Sequence, residues 1–136
     1  MSYCTSTDLI TRFSAEELVQ LTDRSGANAV DTDVLNAAIA DADADINAAL
    51  VRYTLPLAYV PENIVRTACD LTRYYLYDDA VIDVVQKRYD TATSYLTMLT
   101  TGKIMLPADV NGAVQEATGN TVLMSSETAV FNAIDY

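Results

Sequence analysis

The sequence contains no histidine and no tryptophan, and only two cysteines, four glycines and three prolines. The absence of histidine excludes Ser-His-Asp and Cys-His nucleophilic systems, histidine metal sites and histidine general bases. The two cysteines, Cys4 and Cys69, match no metal-binding or redox spacing, so we expect free thiols, with Cys69 buried. The scarcity of glycine and proline argues against a fold rich in β-turns.

Basic residues are also scarce. The 136 residues include 8 basic and 19 acidic ones, which give a formal net charge of −11. Residues 104–136 hold four acidic residues and no basic one. Because nonspecific phosphate binding depends on Lys and Arg, we expect no such binding by the chain as a whole. The charge indicates either a soluble, self-repelling surface or a surface that must not adhere to nucleic acid.

Long apolar runs are missing as well. No stretch approaches the roughly 18 apolar residues that a membrane span requires, so we expect no membrane association. The first residues lack a basic region followed by an apolar stretch, so we expect no signal peptide and a protein made in a cytoplasm. Because 51% of the residues are hydrophobic, the chain can form the core of one domain.

Helical patterns dominate what remains. Thr7 is a candidate N-cap for a short helix that ends at Phe13. Ser14 is a candidate N-cap for a second helix, with Glu17 as its capping-box partner. Gly26 is the expected stop of that second helix.

The third helix should begin at Asp31 or Thr32. Pro56 sets a limit on this helix and Pro61 suits the first turn of the next one, so residues between them should form a short, stiff corner. The apolar residues of the third helix recur at intervals of three and four: Leu35, Ile39, Ala42, Ile46, Ala49 and Tyr53.

Two further stripes predict a fourth and a fifth helix. The segment YDD at 77–79 marks a break between them, and Gly102 is the natural end of the fifth helix. The spacing of Arg66, Asp70 and Arg73 suits a charge ladder along the fourth helix, unless Arg73 reaches Asp78 or Asp79 instead. The stripes consist of Ile64, Ala68, Leu71 and Tyr75, and of Ile82, Val85, Tyr89, Ala92, Leu96 and Leu99.

After Ile104 the helical pattern disappears. The remaining residues combine small side chains with short β-leaning pieces such as TVLM, and a hairpin near Gly119 is weakly signalled. We therefore predict an all-α fold, a small bundle of about four to five helices over residues 1–104. Residues 105–136 should form an extended C-terminal tail with some capacity for β-structure, flexible or ordered by a partner.

Carboxylates are the only catalytic groups in quantity. Carboxylate catalysis needs two groups in different environments, one of them with a raised pKa. The candidate pairs lie among polar neighbours, so we expect no enzyme, no cofactor and no metal. The segment DADAD at 41–45 resembles the start of a calcium loop, but Ile46 and Arg52 occupy the positions that need Gly and Glu. The candidate pairs are Glu16 with Glu17, Asp41 with Asp45, and Asp78 with Asp79.

Nine tyrosines are present, and three of them cluster in the fourth helix and just after it. Helical spacing places Tyr74 and Tyr77 on one side and Tyr75 elsewhere. Tyrosine suits both the edge of a core and a protein interface, because it buries a large area and keeps a polar end. Both roles stay open for these residues.

Several blocks together resemble the Mu-like phage head–tail connector family. They are MSYCTSTDLITRFSAEELVQLTDR, LNAAIADADADINAALVRYTLPL, VPENIVRTACDLTRYYLYDD and VQKRYDTATSYLTMLTTGKIML, in order and without large gaps over residues 1 to about 106. The end, LMSSETAVFNAIDY, is similar to the family's end but lacks the arginines that usually flank its Val-Phe pair.

The resemblance implies a virion structural protein that is assembled in the host cytoplasm. Such adaptors are similar to helical bundles that form a ring of about twelve copies between the capsid portal and a stopper or other neck or tail protein. DNA passes through the ring without specific binding, and Asp41 and Asp45 are the candidate acids of the channel wall. The candidate contacts with neighbouring proteins are Tyr74 and Tyr77 in the helices, and Val122, Leu123, Met124, Val130 and Phe131 in the tail.

Two alternatives are kept. One is an acidic regulatory or DNA-mimicking protein, which needs carboxylates arrayed at phosphate-like spacing on one face. The other is a small carboxylate enzyme, which a raised pKa at Glu17, Asp45 or Asp70 would favour.

Overall fold

The computed structural model describes residues 2–77 and 81–107. Within these ranges the chain forms five α-helices and no β-strand, which confirms the all-α prediction. The proposed division at residue 104 stays a prediction, because residues 108–136 lie outside the described part. The helices are α1 (Ser6–Phe13), α2 (Ala15–Thr22), α3 (Thr32–Ala49), α4 (Glu62–Leu76) and α5 (Asp83–Thr101).

The first helix starts earlier than predicted. Its N-cap is Thr5 rather than Thr7, because Asp8 can complete a capping box with Thr5. The Asp8 N–H donates to Thr5 Oγ1 at 3.2 Å, and the Thr5 N–H donates to Asp8 Oδ2 at 2.9 Å. Ile10, three residues after Thr7, has no polar side chain that could complete a capping box with Thr7.

The N-cap of α2 is Ser14, as predicted. Its Oγ accepts the N–H of Glu17 at 3.2 Å. The reciprocal half of the predicted box is absent, because the Glu17 carboxylate accepts hydrogen bonds from Arg73 instead.

The end of α2 corrects a second prediction. The helix stops at Thr22, and Gly26 lies farther along in the loop rather than at the helix end. The Asp23 carboxylate organises this loop by accepting backbone N–H groups from residues 25–28. These bonds, that of Asn28 above all, hold the pKa of Asp23 below its ordinary value. At the far side of the loop, Asp31 caps α3 as predicted.

The predicted apolar stripe of the third helix is buried throughout, from Leu35 to Tyr53. The helix nevertheless ends at Ala49, so the corner is longer than predicted and spans residues 50–61. A turn, in which the Tyr53 N–H donates to Leu50 O at 3.0 Å, follows α3 directly. Leu50 and Tyr53 of this turn, and Leu57 after it, are buried, so the corner gains apolar burial in place of further helical hydrogen bonds.

Helix α4 occupies the centre of the bundle. Pro61 immediately precedes it, and the Pro61 carbonyl accepts the N–H of Ile64 at 3.0 Å and of Val65 at 3.2 Å. The helix packs against α3 and against α5. Helices α4 and α5 are antiparallel, since Asn63 bonds to Tyr95 and Asp70 to Arg88. The buried residues of α4 are Ile64, Thr67, Ala68, Cys69, Asp70, Leu71, Thr72 and Leu76.

The last helix agrees with its stripe except at the first position. Ile82 is the N-cap residue and is 49% exposed, because it precedes the first helical turn and does not share the buried face. The predicted break is confirmed in that α4 ends at Leu76 and α5 begins at Asp83; Asp78 and Asp79 lie outside the described residues. Gly102 ends α5 in the left-handed conformation, with φ of 81°, as predicted.

A core truncation tests this architecture. Leu71 is fully buried at the centre of α4, so Leu71→Ala should lower the free energy of unfolding by about 2–5 kcal/mol. The matched control is Val84→Ala, because Val84 is 49% exposed and its truncation should cost less than about 0.5 kcal/mol. Urea unfolding followed by circular dichroism measures both, and similar costs would contradict the assigned core.

Candidate interaction surfaces

The outer face of α3 is exposed and is made almost entirely of small and acidic side chains. Helical spacing brings four exposed alanines onto this side, with Asp41 at its edge. Asp41 makes no ion pair with any residue in the described ranges and is exposed. The alanines are Ala37, Ala40, Ala44 and Ala48. A neighbouring backbone can therefore approach this face closely, and a negative charge stands beside it.

The second predicted channel acid has a different environment. Asp45 is exposed, but its carboxylate accepts a hydrogen bond from the Tyr75 hydroxyl of α4. Burial and the Asp45 carboxylate both raise the pKa of Tyr75. Between the two acids along the chain, Asp43 is buried and accepts the N–H of Tyr3 at 2.9 Å. Of the three acids in DADAD, only Asp41 is thus uncommitted within the described structure.

The tyrosines of α4 pack against α5. The rings of Tyr74 and Tyr89 are stacked, with centroids 3.7 Å apart and planes 15° from parallel. Tyr75 meets Tyr89 edge-on at 6.1 Å. Tyr74 and Tyr77 are both half-buried. Tyr74 therefore contributes to the edge of the core, and a contact of Tyr74 or Tyr77 with another protein stays a prediction.

The predicted charge ladder along α4 is wrong. Arg73 instead reaches α2, where its Nε and Nη2 donate to the two oxygens of Glu17 at 2.6 and 3.0 Å. Its guanidinium also lies 4.4 Å from the centre of the Phe13 ring. Asp70 pairs with Arg88 of α5 at 3.3 Å. Both ion pairs join different helices, which a pattern within one helix cannot reveal.

Asp70 meets one condition that would favour a carboxylate enzyme. Burial raises the pKa of its carboxyl, and the Arg88 guanidinium opposes part of that rise. Yet the carboxylate is occupied by an ion pair, and neither of two open pockets includes it. One pocket, of about 410 Å³, lies between α1 and the start of α4, and the other, of about 270 Å³, lies between α3 and α5. The buried acid therefore fits a structural role.

The chain leaves the bundle beside the α3–α4 corner. The Leu106 N–H donates to the Tyr53 hydroxyl at 3.0 Å, and Leu106 is buried. Arg52 Nε donates to the carbonyl of Thr100 at 3.1 Å, and its guanidinium covers Gly102, where a Cβ would come within 3.2 Å of Arg52 Cζ. The start of the predicted tail is thus attached to the corner. The predicted tail anchors, from Val122 to Phe131, lie outside the described residues.

The family model described as Bacteriophage Mu, Gp36 matches residues 3–125. The chain belongs to this family. A relative, the Mu-like prophage FluMu protein gp36 of Haemophilus influenzae, is 28% identical over 127 residues, which cover 87% of this chain and 90% of the relative.

Membership of the Gp36 family makes this a Mu-like phage protein. The matched range includes all five helices and extends to three of the predicted tail anchors, Val122, Leu123 and Met124. Within the described ranges, no helix has the length and hydropathy needed to cross a bilayer.

The ion pair between α2 and α4 should contribute measurably to stability. The side chains of Arg73 and Glu17 are 13% and 22% exposed, and the contact is bidentate. A double-mutant cycle with Glu17→Ala and Arg73→Ala should give a coupling energy of about 1–3 kcal/mol in urea unfolding. The control cycle is Arg12 with Glu62, whose side chain is 81% exposed, and its coupling should stay below about 1 kcal/mol. Equal couplings would contradict the assignment.

The raised pKa of Asp70 predicts a pH dependence. The folded chain holds this proton more tightly than the unfolded chain, whose aspartates titrate near pH ~3.9. Lowering the pH through the window between the ordinary and the raised pKa therefore stabilises the wild type, and this gain is lost in Asp70→Asn. Urea unfolding at several pH values should show that the free energy of unfolding of the wild type rises relative to that of Asp70→Asn as the pH falls. A difference that changes in the opposite direction would refute the burial effect.

Proposed function

We propose that this protein is a head–tail connector, a non-enzymatic adaptor that forms a ring between the capsid portal and the neck or tail of a Mu-like phage. The observation that carries the proposal is the match to the Gp36 family over nearly the whole chain, since it makes the chain a phage protein. The resemblance of the sequence blocks to head–tail connectors supplies the particular role, and the ring of about twelve copies is part of that proposal.

The way the helices are joined supports a role as a rigid subunit. Glu17 to Arg73, Asp70 to Arg88 and Arg12 to Glu62 link α1, α2, α4 and α5 by ion pairs. Arg52 and Thr100 join the corner to the end of α5. A subunit of a closed ring must keep its shape, because a small change in each copy accumulates around the ring.

The charge supports passage of DNA without binding. The chain has a net charge of −11, and Asp41 is exposed beside four exposed alanines on the outer face of α3. A wall of this kind repels phosphate groups and offers no guanidinium or ammonium groups to hold them. We propose that the outer face of α3, with Asp41 and Asp45, faces the channel.

The attachment of Leu106 supports a tail that leaves the bundle at a defined point. Residues 108–136 then extend toward the portal, the neck protein or a neighbouring copy, and contact it through Val122, Leu123, Met124, Val130 and Phe131. An added strand is one way in which such a segment can dock.

The alternative of a DNA mimic is less well supported. Many acidic residues in the described ranges are already used inside the chain. Asp8 and Asp31 cap helices, Glu17 and Asp70 form ion pairs, and Asp43 holds Tyr3. A mimic needs carboxylates that are free and regularly spaced on one face.

Removal of the tail tests the proposed role. A chain that stops after Pro107 keeps the Leu106 contact with Tyr53, so its helices should fold as in the full chain. We expect it to fail to restore tailed particles in a prophage that lacks the gene, because the docking segment is gone. Electron microscopy counts tailed and tailless particles, and circular dichroism verifies folding.

Two further measurements complete this test. Val130→Asp combined with Phe131→Asp is the matched point variant and should reproduce the loss, since charges weaken an apolar contact. The copy number per particle, compared with the mass of the purified protein in solution, tests the ring. If the truncated chain still supports joining of the phage tail, docking through the C-terminal segment is wrong. If the protein is absent from particles, the connector role is wrong.

A further inference from the structure

The two cysteines of the chain meet in its core. Cys4 precedes α1 and Cys69 lies in the middle of α4, and the two residues are 2% and 0% exposed. Cys4 Sγ lies 3.6 Å from the hydroxyl oxygen of Thr72, which follows Cys69 by one helical turn on the same side of α4. Two thiols that are 65 positions apart in sequence are thus neighbours in space.

Cys4 is held there by its neighbour in the chain. The Tyr3 N–H donates to Asp43 at 2.9 Å, and the Tyr3 hydroxyl bonds to Asn47, so α3 holds one side of residues 2–5. Cys4 then faces α4 on the other side. The segment has no helix of its own, and it is held by these hydrogen bonds and by the burial of Tyr3 and Cys4 in the core.

We propose that Cys4 and Cys69 are a redox-active pair that forms a reversible disulfide, joining residues 2–5 to α4, when the protein meets a low-molecular-weight disulfide such as oxidised glutathione.

The reaction is a pair of thiol–disulfide exchanges. Cys4 releases its proton to water, attacks one sulfur of the oxidant and displaces one glutathione thiolate, which takes up a proton. Cys69 then loses its proton, attacks the Cys4 sulfur and displaces the second glutathione. The second glutathione thiolate also takes up a proton. The two cysteines lose two protons and two electrons in all, and one oxidised glutathione becomes two reduced molecules.

The surroundings of the two thiols favour Cys4 as the first nucleophile. The neighbouring Cys69 thiol and the Thr72 hydroxyl both lower the pKa of the Cys4 thiol. The neighbouring Cys4, together with burial, raises the pKa of Cys69. The oxidant reaches Cys4 through local opening of residues 2–5, which lie outside the helices, so α4 need not unfold.

The redox equilibrium of the purified full chain tests the pair. The protein is equilibrated in glutathione buffers of increasing oxidised fraction, once under native conditions and once in about 8 M urea. Acid quenching and mass spectrometry give the fraction of protein that has lost two hydrogens. The native fold should raise the effective concentration of the two thiols at least about tenfold over urea, because it holds them together.

Single variants serve as controls. Cys4→Ser and Cys69→Ser can form only the mixed disulfide with glutathione and should never show the loss of two hydrogens. The comparison between native and urea conditions needs no variant, so a misfolded variant does not affect it. An equal effective concentration in both conditions, or a wild type that accumulates only mixed disulfide, would overturn the proposal.

The cross-link does not depend on the connector role, but its use rests on that proposed function. A subunit of a phage particle is made in a reducing cytoplasm and leaves it on lysis, and disulfides persist outside. If the glutathione experiment gives the contrary result, the disulfide proposal is wrong and the connector proposal is unaffected. A failed particle test leaves the chemistry of the purified chain unchanged.

Discussion

The burial of one side of α4 is the constraint on which the rest of the structure depends. Apolar residues such as Ile64 and Leu71 supply buried area, but that area alone does not orient the neighbouring helices. Orientation comes from the polar groups buried with them, since each needs a partner of fixed geometry. Asp70 bonds to Arg88 of α5, and Thr72 contacts Cys4, which precedes α1. Arg73 lies at the margin of this side and donates a hydrogen bond to Glu17, which orients α2 as well.

What the sequence could predict was local in origin. The stripes of α3, α4 and α5, the caps at Ser14 and Asp31 and the end at Gly102 all depend on residues within one or two turns, and all were confirmed except the first residue of the α5 stripe, Ile82. The ladder on α4 failed for the opposite reason. An exposed pair within a helix gains only about 0.2–0.5 kcal/mol, so a half-buried, bidentate contact with a distant carboxylate outcompetes it. Spacing within α4 carries no information about Glu17.

The candidate surfaces show the same division. The resemblance made Asp41 and Asp45 candidate acids of the channel wall, and both are exposed. It could not predict that Tyr75 would engage Asp45 and leave Asp41 uncommitted, because that depends on how α3 and α4 meet. The clustering of tyrosines left open whether they belong to a core or an interface. The stacking of Tyr74 on Tyr89 supplies the core-edge contact, which only the packing of α4 on α5 reveals.

The two-proline corner has a larger role than the joining of two helices. Because α3 ends at Ala49, Tyr53 is free to turn inward, and its hydroxyl accepts the backbone N–H of Leu106. Arg52, from the same turn, covers Gly102 and bonds to Thr100. The corner and the start of the tail are therefore one packed unit, although 53 positions separate Tyr53 from Leu106. Under the proposed connector role, a load applied to the tail reaches α3 and α5 through this unit. We expect a looser corner to transmit such a load less well, which makes the contacts of Tyr53 and Arg52 part of the proposed function.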